Sequence, residues 1–234
     1  MTNNKLYKLF SILFFLTILL GCGNSDTSQL IDKALEAEHR TPSYIQRDKY
    51  RHPKETLLFF GLDPKQSIIE ITPGYGWYTE ILAPLVRNRG QYTFTSLNLH
   101  EKINPSFIKL ERAFKGKMEN NPDIYDQLRW VHFDPKQPEF APNGPVDMTL
   151  TFRNVHNWAK AGSVEAMFTG FAKALKPGGT LGVVEHRAKV GTPLEKQIES
   201  GYMTEDYVKA RWEEILVAEA DIIRSLELRG DRMH

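Results

Sequence analysis

The sequence predicts an α/β protein with a largely parallel sheet that is covered by helices on both faces. Short apolar runs, such as Val146 to Phe152 and Thr180 to Val184, alternate along the chain with segments of helical periodicity. These runs carry few charges, as expected for strands that are buried on both faces of a parallel sheet. A strand, a tight turn and a helix also follow one another directly in Ser67 to Val86. Together these features favour a sheet built from alternating strands and helices.

The turn within this segment is Pro73-Gly74-Tyr75-Gly76. It follows the apolar run Ile68 to Ile71, and the apolar residues of Ile81 to Val86 then recur at helical spacing. Gly74 and Gly76 carry no Cβ atom, and the N-terminus of the following helix offers unpaired N–H groups. The turn therefore predicts close approach of the backbone to a nucleotide-like ligand. The alternative is that glycine serves the geometry of a strand-to-helix turn alone.

The remaining elements are predicted from periodicity and from turn residues. The expected strands are Ile68–Ile71, Tyr92–Leu97, Trp130–Phe133, Val146–Phe152, Thr180–Val184 and a run within Ile215–Ile223. The expected helices lie within Ile31–His39, Pro53–Phe60, the segment up to Val86, Asn104–Leu128, Ser163–Leu175 and a segment begun by Thr204. Ser163 is the expected N-cap of its helix, and Pro177-Gly178-Gly179 is expected to end that helix.

Ligands of open parallel sheets bind outside the carboxyl ends of the strands, where the strand order reverses. In this chain polar and aromatic residues are concentrated at those ends. The strand ends are Thr72–Gly76, Leu97–Glu101, Asp134, Arg153–Trp158 and Glu185–Arg187. The pattern therefore predicts the functional site at this edge of the sheet.

Composition and charge exclude several classes of protein. The 234 residues carry a formal net charge of +1, which gives no electrostatic reason to expect a nucleic-acid partner. Cys22 is the only cysteine, so the chain has neither an intrachain disulfide nor a cysteine-rich zinc site. A hydrolase is disfavoured, because no G-x-S-x-G motif occurs.

The N-terminus has the pattern of a targeting segment. Lys5 and Lys8 precede the apolar run Leu9 to Leu20, which is shorter than the about 20 residues that span a bilayer. Leu19-Leu20-Gly21 before Cys22 resembles the bacterial lipoprotein signal, which implies cleavage before Cys22 and lipidation of its sulfur. The alternatives are an uncleaved anchor helix or a plain secretory signal.

We therefore divide the chain into a signal peptide (1–21), a tether with an N-terminal helix (22–40) and one globular domain (41–234). The expected location is the cell envelope, with the domain anchored to a bacterial membrane through the lipids on Cys22 and facing the periplasm or the exterior.

Three stretches resemble the class I S-adenosylmethionine-dependent methyltransferases. They are IIEITPGYGWYTEIL from Ile68, VDMTLTFRNVHNW from Val146 and ALKPGGTLGVVEHR from Ala174. The closest resemblance is to predicted methyltransferases of bacterial envelopes that share motifs matching 51–60, 70–82, 152–158 and 182–187. The resemblance implies a Rossmann-like doubly wound sheet, S-adenosylmethionine as the cofactor, and a small-molecule or envelope-associated methyl acceptor.

The resemblance also implies roles for individual residues. The methionine part of the cofactor would be surrounded by Glu70, Thr72, Gly74 and Gly76. Asp134 matches the acid that often meets the adenine amino group, and Asn154 would face the sulfonium and the acceptor. The implied ribose ligand is Asn98 or Glu101, because the usual acid is missing after the second strand. Of these and their neighbours, Asn154 and His156 are the catalytic candidates, with His156 as a general base.

Two further departures from the family pattern concern the turn and the end of the sheet. Thr72 stands where the family turn usually begins with glycine. The family sheet ends in a hairpin of a sixth and a seventh strand, whereas this sequence ends at His234 soon after its sixth strand-length run. We therefore expect a sheet that lacks the last strand.

Two groups of side chains allow more than one interpretation. His156, Glu185, His186 and Arg187 could act in acid–base or metal chemistry, or could fix the loops over the sheet. The aromatic side chains near the motifs, Trp77, Tyr78 and Trp158, could form the wall of a pocket or could simply pack.

Basic residues at two places are ambiguous in the same way. Arg47, Arg51 and His52 could form a lid over the cofactor site, or a solvated face of the N-terminal helix. The basic segment Lys109 to Lys117 could contact lipid headgroups, or could be a solvated helix surface.

The sequence supports two functions. The first is a lipid-anchored methyltransferase that uses S-adenosylmethionine. The alternative is a non-catalytic binding or scaffold lipoprotein that retains the same fold.

Overall fold

The computed structural model describes residues 26–98, 105–219 and 226–229. The predicted signal peptide, Cys22, Glu101 and the final residues therefore lie outside the described part. The helices within it are α1 (26–35), α2 (Pro42–Arg51), α3 (Pro53–Phe59), α4 (Thr79–Val86), α5 (Pro105–Glu119), α6 (Pro122–Tyr125), α7 (Val155–Ala161), α8 (Val164–Ala174), α9 (Leu194–Ser200) and α10 (Glu205–Glu219). The strands are β1 (Ser67–Ile71), β2 (Gln91–Leu97), β3 (Arg129–Phe133), β4 (Val146–Phe152), β5 (Leu175–His186) and β6 (Leu226–Arg229).

The strands form one sheet in the order β3-β2-β1-β4-β5-β6, and every neighbouring pair is parallel. The order reverses between β1 and β4, which is the switch point at which ligands of such sheets bind. This confirms the predicted fold class. Six strands are present among the described residues, and β6 pairs directly with β5.

Alternation along β1 separates the core into two layers. Ile68 belongs to the layer covered by α1, α3 and α4, in which Leu57 and Ile81 are also fully buried. Ile69 and Ile71 belong to the layer covered by α7, α8 and α10. Helices therefore cover both faces of the sheet, as the apolar strands require.

The N-terminal segment is joined to the domain by buried polar contacts. Arg40 is almost fully buried and pairs with Asp48 at 2.5 Å. The carboxylate of Glu80 on α4 is also buried, and it accepts hydrogen bonds from the Thr41 N–H (2.9 Å) and hydroxyl (2.6 Å). Lys117 of α5 pairs with the same carboxylate. Glu80 of α4 thus contacts both Thr41, the residue before α2, and Lys117 of α5.

Several expected elements differ from the structure. The run Ile215–Ile223 was expected as a strand, but α10 continues to Glu219 and the sixth strand is Leu226–Arg229. The reason is that Val208, Trp212 and Ile215 recur at helical spacing, and Val208 and Trp212 are buried in the core.

The helix before β5 begins after Ser163 as predicted, but its end differs from the prediction. Ser163 occupies the N-cap position of α8, but its hydroxyl makes no capping hydrogen bond. The helix ends at Ala174, and Pro177-Gly178-Gly179 lies within β5 as a bulge between the pairs Val146–Leu175 and Met148–Thr180.

In the part of the chain that the structure covers, no helix is long and apolar enough to cross a membrane.

Candidate functional site

The glycine turn connects β1 to α4 at the switch point of the sheet. The Gly76 N–H donates to the Pro73 carbonyl oxygen at 3.0 Å, and both Gly74 (φ 63°) and Gly76 (φ 82°) adopt left-handed conformations. A Cβ atom on Gly76 would lie 2.7 Å from Cε2 of Phe114, whereas one on Gly74 would meet nothing within 4 Å. Gly76 therefore allows α5 to pack against the turn, and Gly74 leaves open space beside it.

Thr72 starts this turn in a conformation that is rare for a β-branched residue, with φ 46°. Its N–H donates to the Thr95 hydroxyl at 3.2 Å, which joins the turn to β2. Its own hydroxyl oxygen is buried and has no hydrogen-bond partner among the described residues. Thr72 thus combines backbone strain with an unsatisfied polar atom, a combination that is typical of functional sites.

A cavity of about 620 Å³ opens at the carboxyl ends of β1 to β4. Its walls are mainly apolar, and it lies where the polar strand ends were predicted to meet. The lining consists of 72–74 after β1, 94–97 at the end of β2, Leu110, Glu111 and Phe114 of α5, Trp130 and Pro135 near β3, and Asn154, Asn157, Trp158, Lys160, Ala161 and Ser163 around α7.

A polar network closes the cavity at the ends of β2 and β3. The Trp130 Nε1–H donates to the Ser96 hydroxyl oxygen at 2.7 Å, and the Ser96 hydroxyl lies 3.3 Å from Oε1 of Glu111. His132 Nε2 lies 3.3 Å from the same oxygen. Among the described residues that line the cavity, Glu111 is the only one with a carboxylate. A helix, not a strand end, therefore places the acidic group here.

Glu70 lies beneath the glycine turn rather than in the cavity wall. Its carboxylate is fully buried and accepts hydrogen bonds from the hydroxyls of Thr79 (2.8 Å) and Tyr92. Burial raises the pKa of Glu70 to about 7, against the lowering effect of the hydrogen bonds from Tyr92 and Thr79. Burial and the neighbouring Glu70 likewise raise the pKa of Tyr92. This cluster ties the end of β1 to β2 and to the first turn of α4.

Asn154 and His156 follow β4 and point in different directions. The Asn154 side-chain amide donates to the Ile71 carbonyl oxygen and to the Thr151 hydroxyl, each at 3.1 Å, and it lines the cavity. His156 Nδ1 instead lies 3.2 Å from Oε2 of the buried Glu185, beside Gly201. His156 is therefore not part of the cavity wall.

Comparison with known proteins identifies the fold. No protein-family model matches the sequence, and no curated protein matches it significantly. Among solved structures, the chain is similar to a SAM-dependent methyltransferase from Aquifex aeolicus, with 16% identity, coverage of 80% of this chain and 87% of the other, and a TM-score of 0.53. The fold is that of the class I methyltransferases.

Two further methyltransferase structures are longer than this chain. An O-methyltransferase family protein from Burkholderia thailandensis matches with 11% identity, over 72% of this chain and 51% of its own, with a TM-score of 0.52. A glycopeptide N-methyltransferase complexed with sinefungin matches over 55% of this chain and 50% of its own, with 17% identity and a TM-score of 0.41. The chain thus spans about half the length of these two proteins.

Within this methyltransferase fold, the predicted site residues fall into three groups. Thr72, Gly74 and Asn154 line the cavity. Glu70 and Gly76 do not line the cavity but contact residues next to it. Glu70 accepts a hydrogen bond from Thr79 at the start of α4, and Gly76 packs against Phe114, which lines the cavity. The third group lies outside the cavity wall and consists of Asn98, Asp134 and His156.

Two of the residues expected to bind the adenosine part, Asn98 and Asp134, are not among the described residues that line the cavity. Asn98 is exposed, and its N–H donates to the Phe133 carbonyl oxygen at 2.8 Å. Asp134 is also exposed, and its carboxylate accepts the Lys136 N–H at 2.9 Å. Their proposed roles in binding remain predictions.

Sequence reasoning missed the contribution of α5 to the cavity. Glu111 sits in a helix with many charged residues, so its sequence context resembles that of a solvated surface. Trp130 was assigned to a strand, but its hydrogen bond to Ser96 depends on the pairing of β2 and β3. Around this cavity and elsewhere in the described ranges, no group of three or more His, Cys, Asp or Glu side chains could hold a metal ion.

Proposed function

We propose that the protein is a methyltransferase that binds S-adenosylmethionine and transfers the methyl group to a small or envelope-associated acceptor. The observation that carries the proposal is the cavity at the switch point, which is bounded by the glycine turn after β1 and by Asn154 after β4. In a doubly wound sheet this is the position at which nucleotide-like ligands bind.

The cavity fits such a cofactor in size and in chemistry. Its volume of about 620 Å³ lies within the range of about 300–1,000 Å³ that is usual for small-molecule sites. The buried Thr72 hydroxyl lacks a hydrogen-bond partner among the described residues, and a polar ligand would satisfy it. Thr72 and the backbone at Gly74 would hold the methionine part of the cofactor.

Glu111 and Ser96 would hold the ribose hydroxyls. Both contacts of the Glu111 carboxylate to Ser96 and His132 involve Oε1, so Oε2 remains available to a hydroxyl donor on the ligand. A carboxylate is a strong acceptor for such hydrogen bonds. We therefore propose Glu111 as a further candidate for the ribose role that the sequence assigned to Asn98 or Glu101, of which Glu101 lies outside the described residues.

S-adenosylmethionine supplies an activated methyl group, so the protein has little acid–base chemistry to provide. The contribution of the chain is to position the reacting groups and to exclude water. Asn154 is held rigidly between Ile71 and Thr151 and can orient an acceptor at the cavity. His156 faces Glu185, so we assign it no proton transfer in the cavity.

Incubation of the full-length protein in detergent with S-adenosylmethionine carrying an isotopically labelled methyl group, in the presence of envelope extract, tests this function. We expect label in one class of acceptor, and we expect Asn154→Ala to reduce its incorporation. Asn143→Ala changes an exposed asparagine in the loop before β4, outside the cavity wall, and serves as the comparison variant. Absence of label with every extract and small acceptor would contradict the proposed activity.

A non-catalytic binding protein is the second candidate, and Thr72 is the observation that favours it. The side chain occupies a position in the turn where a glycine would allow closer approach of a ligand. Binding of adenosylhomocysteine without transfer of label would support this candidate.

We also propose that the protein is anchored in the bacterial envelope through lipids on Cys22. The support is the sequence Leu19-Leu20-Gly21-Cys22 after an apolar run. Cys22→Ser should abolish the mass increase from lipidation and release the protein from the membrane fraction. Unchanged mass and fractionation of this variant would contradict the anchor.

A further inference from the structure

A second cavity lies at the carboxyl ends of β4 and β5, beside the cofactor cavity. It is bounded by the end of α2, by Phe152 at the end of β4 and Arg153 after it, and by the last residues of β5. Phe152 and Arg153 line this small cavity, while the next residue, Asn154, lines the large one. Consecutive residues of the chain, Arg153 and Asn154, therefore line the two neighbouring cavities.

The side chains around the small cavity carry an excess of positive charge. Arg51 and Arg153 contribute two guanidinium groups, and His186 contributes an imidazole. Among the described residues that line the small cavity, the one carboxylate is that of Glu185, and both of its oxygens face α7. Oε1 accepts the Val155 N–H at 2.5 Å, and Oε2 lies 3.2 Å from His156 Nδ1.

The arginines are held in place by separate features of the fold. Arg51 lies over the ring of Trp77, with its Cζ 4.8 Å from the ring centroid. Arg153 adopts φ 63°, a left-handed conformation that costs a residue with a side chain about 1–2 kcal/mol. The Arg153 N–H donates to the Val184 carbonyl oxygen at 2.7 Å, which anchors this strained residue on β5.

Arg153 has no ion-pair partner within the described parts of the chain. An exposed cation in a strained conformation at the carboxyl edge of a sheet is a candidate ligand-binding group. A guanidinium offers paired N–H donors whose spacing matches carboxylate and phosphate oxygens.

We propose that this cavity binds the anionic end group, carboxylate or phosphate, of the methyl acceptor. This inference rests on the proposed methyltransferase function and adds the chemical class of the acceptor. The cavity volume of about 40 Å³ is close to the roughly 30 Å³ of one water, so it accepts only the end of a larger molecule. The body of the acceptor would extend past Asn154 towards the cofactor cavity.

The test follows the guanidinium N–H signals of ¹⁵N-labelled full-length protein in detergent by nuclear magnetic resonance. Adenosylhomocysteine is first added to saturation, and then acetate, inorganic phosphate or chloride is titrated at matched ionic strength. We expect a saturable shift of the Arg153 signal with acetate or with phosphate, and none with chloride. The anion that binds more tightly identifies the end group as a carboxylate or a phosphate.

Two variants of Arg153 test the site, and a variant of Arg129 serves as the control. Arg153→Gln should weaken anion binding about tenfold, because it removes a charge-assisted hydrogen bond, while Arg153→Lys should keep part of the affinity. Arg129→Gln removes an exposed arginine at the start of β3, the opposite edge of the sheet, and should change nothing. Adenosylhomocysteine should bind equally well to all three variants.

Two results would overturn the inference. The first is a shift that does not saturate or that chloride reproduces, and the second is an equal loss of anion binding in Arg129→Gln. If adenosylhomocysteine binds normally in those experiments, only the acceptor class is wrong. If it fails to bind the unmodified protein, the proposed function itself fails.

Discussion

Thr72 holds a strained backbone conformation at the start of the turn that shapes the cavity. Replacing it with glycine removes about 1–2 kcal/mol of left-handed strain and a buried unsatisfied hydroxyl, at an entropic cost of about 0.5–1 kcal/mol. We expect Thr72→Gly to raise the free energy of unfolding by about 1 kcal/mol and Tm by about 2–4 °C.

Chemical denaturation measures this effect, with Thr93→Gly as the control. Thr93 lies in the interior of β2, where the backbone is extended, so glycine there should destabilise the protein. Equal destabilisation by the two variants would contradict the strain at Thr72. If the Thr72 hydroxyl binds the cofactor, Thr72→Gly should also weaken adenosylhomocysteine binding about fivefold.

Glu70 predicts a pH dependence of stability. Its pKa rises from 4.5 to about 7 on folding because the carboxyl is buried. The folded protein therefore keeps a proton that the unfolded chain releases, so the stability from this group is complete below pH 4.5 and is lost as the pH rises through 7. The full effect is on the order of 3 kcal/mol.

Denaturation between pH 4.5 and 7.5 compares the protein with Glu70→Gln. The amide cannot ionise and can still accept the Tyr92 and Thr79 hydrogen bonds, so we expect this variant to lose that decline in stability. Glu55→Gln changes an exposed glutamate and should keep the decline. A parallel pH profile for Glu70→Gln and the unmodified protein would show that Glu70 is not the group responsible.

At the scale of elements, the glycine turn and α5 form one unit. Gly76→Ala should lower the free energy of unfolding by about 3 kcal/mol. Alanine would have to adopt the left-handed φ of 82°, and its Cβ would clash with Phe114. Gly74→Ala shares the positive φ without the clash and should cost about 1 kcal/mol.

A double variant separates the two contributions to the Gly76 effect. Phe114→Leu shortens the facing side chain, so it should recover part of the loss when it is combined with Gly76→Ala. Additive effects of the two substitutions would contradict direct packing of α5 on the turn.

Elements that are buried and apolar were the ones that could be predicted from sequence. The predicted strand Val146–Phe152 matches β4 residue for residue. Its buried apolar residues Met148 and Leu150 alternate with threonines, a pattern that is typical of strands. The short helices α7 and α9 were missed, since seven residues give too few turns for a clear period. The sixth strand has only four residues, Leu226–Arg229, and it was missed for the same reason.

At the scale of the whole molecule, the edge of the sheet that carries the cavity could be predicted, but part of its wall could not. Thr72, Gly74 and Asn154 follow strands directly, so the strand order alone brings them together. Glu111 reaches the same cavity from α5, and its position depends on how that helix packs on Gly76. Asp134 follows β3 as predicted, yet its carboxylate contacts the local backbone.

The central claim is that the cavity binds S-adenosylmethionine, and calorimetric titration of the full-length protein with adenosylhomocysteine tests it most directly. We predict saturable binding at one site, about tenfold weaker in Glu111→Gln because a charged acceptor for the ribose hydroxyls is lost. Binding should be unchanged in Glu119→Gln, which alters an exposed carboxylate of the same helix outside the cavity wall. Absence of binding at up to about 1 mM ligand, or a loss in Glu119→Gln with none in Glu111→Gln, would contradict this account of the cavity.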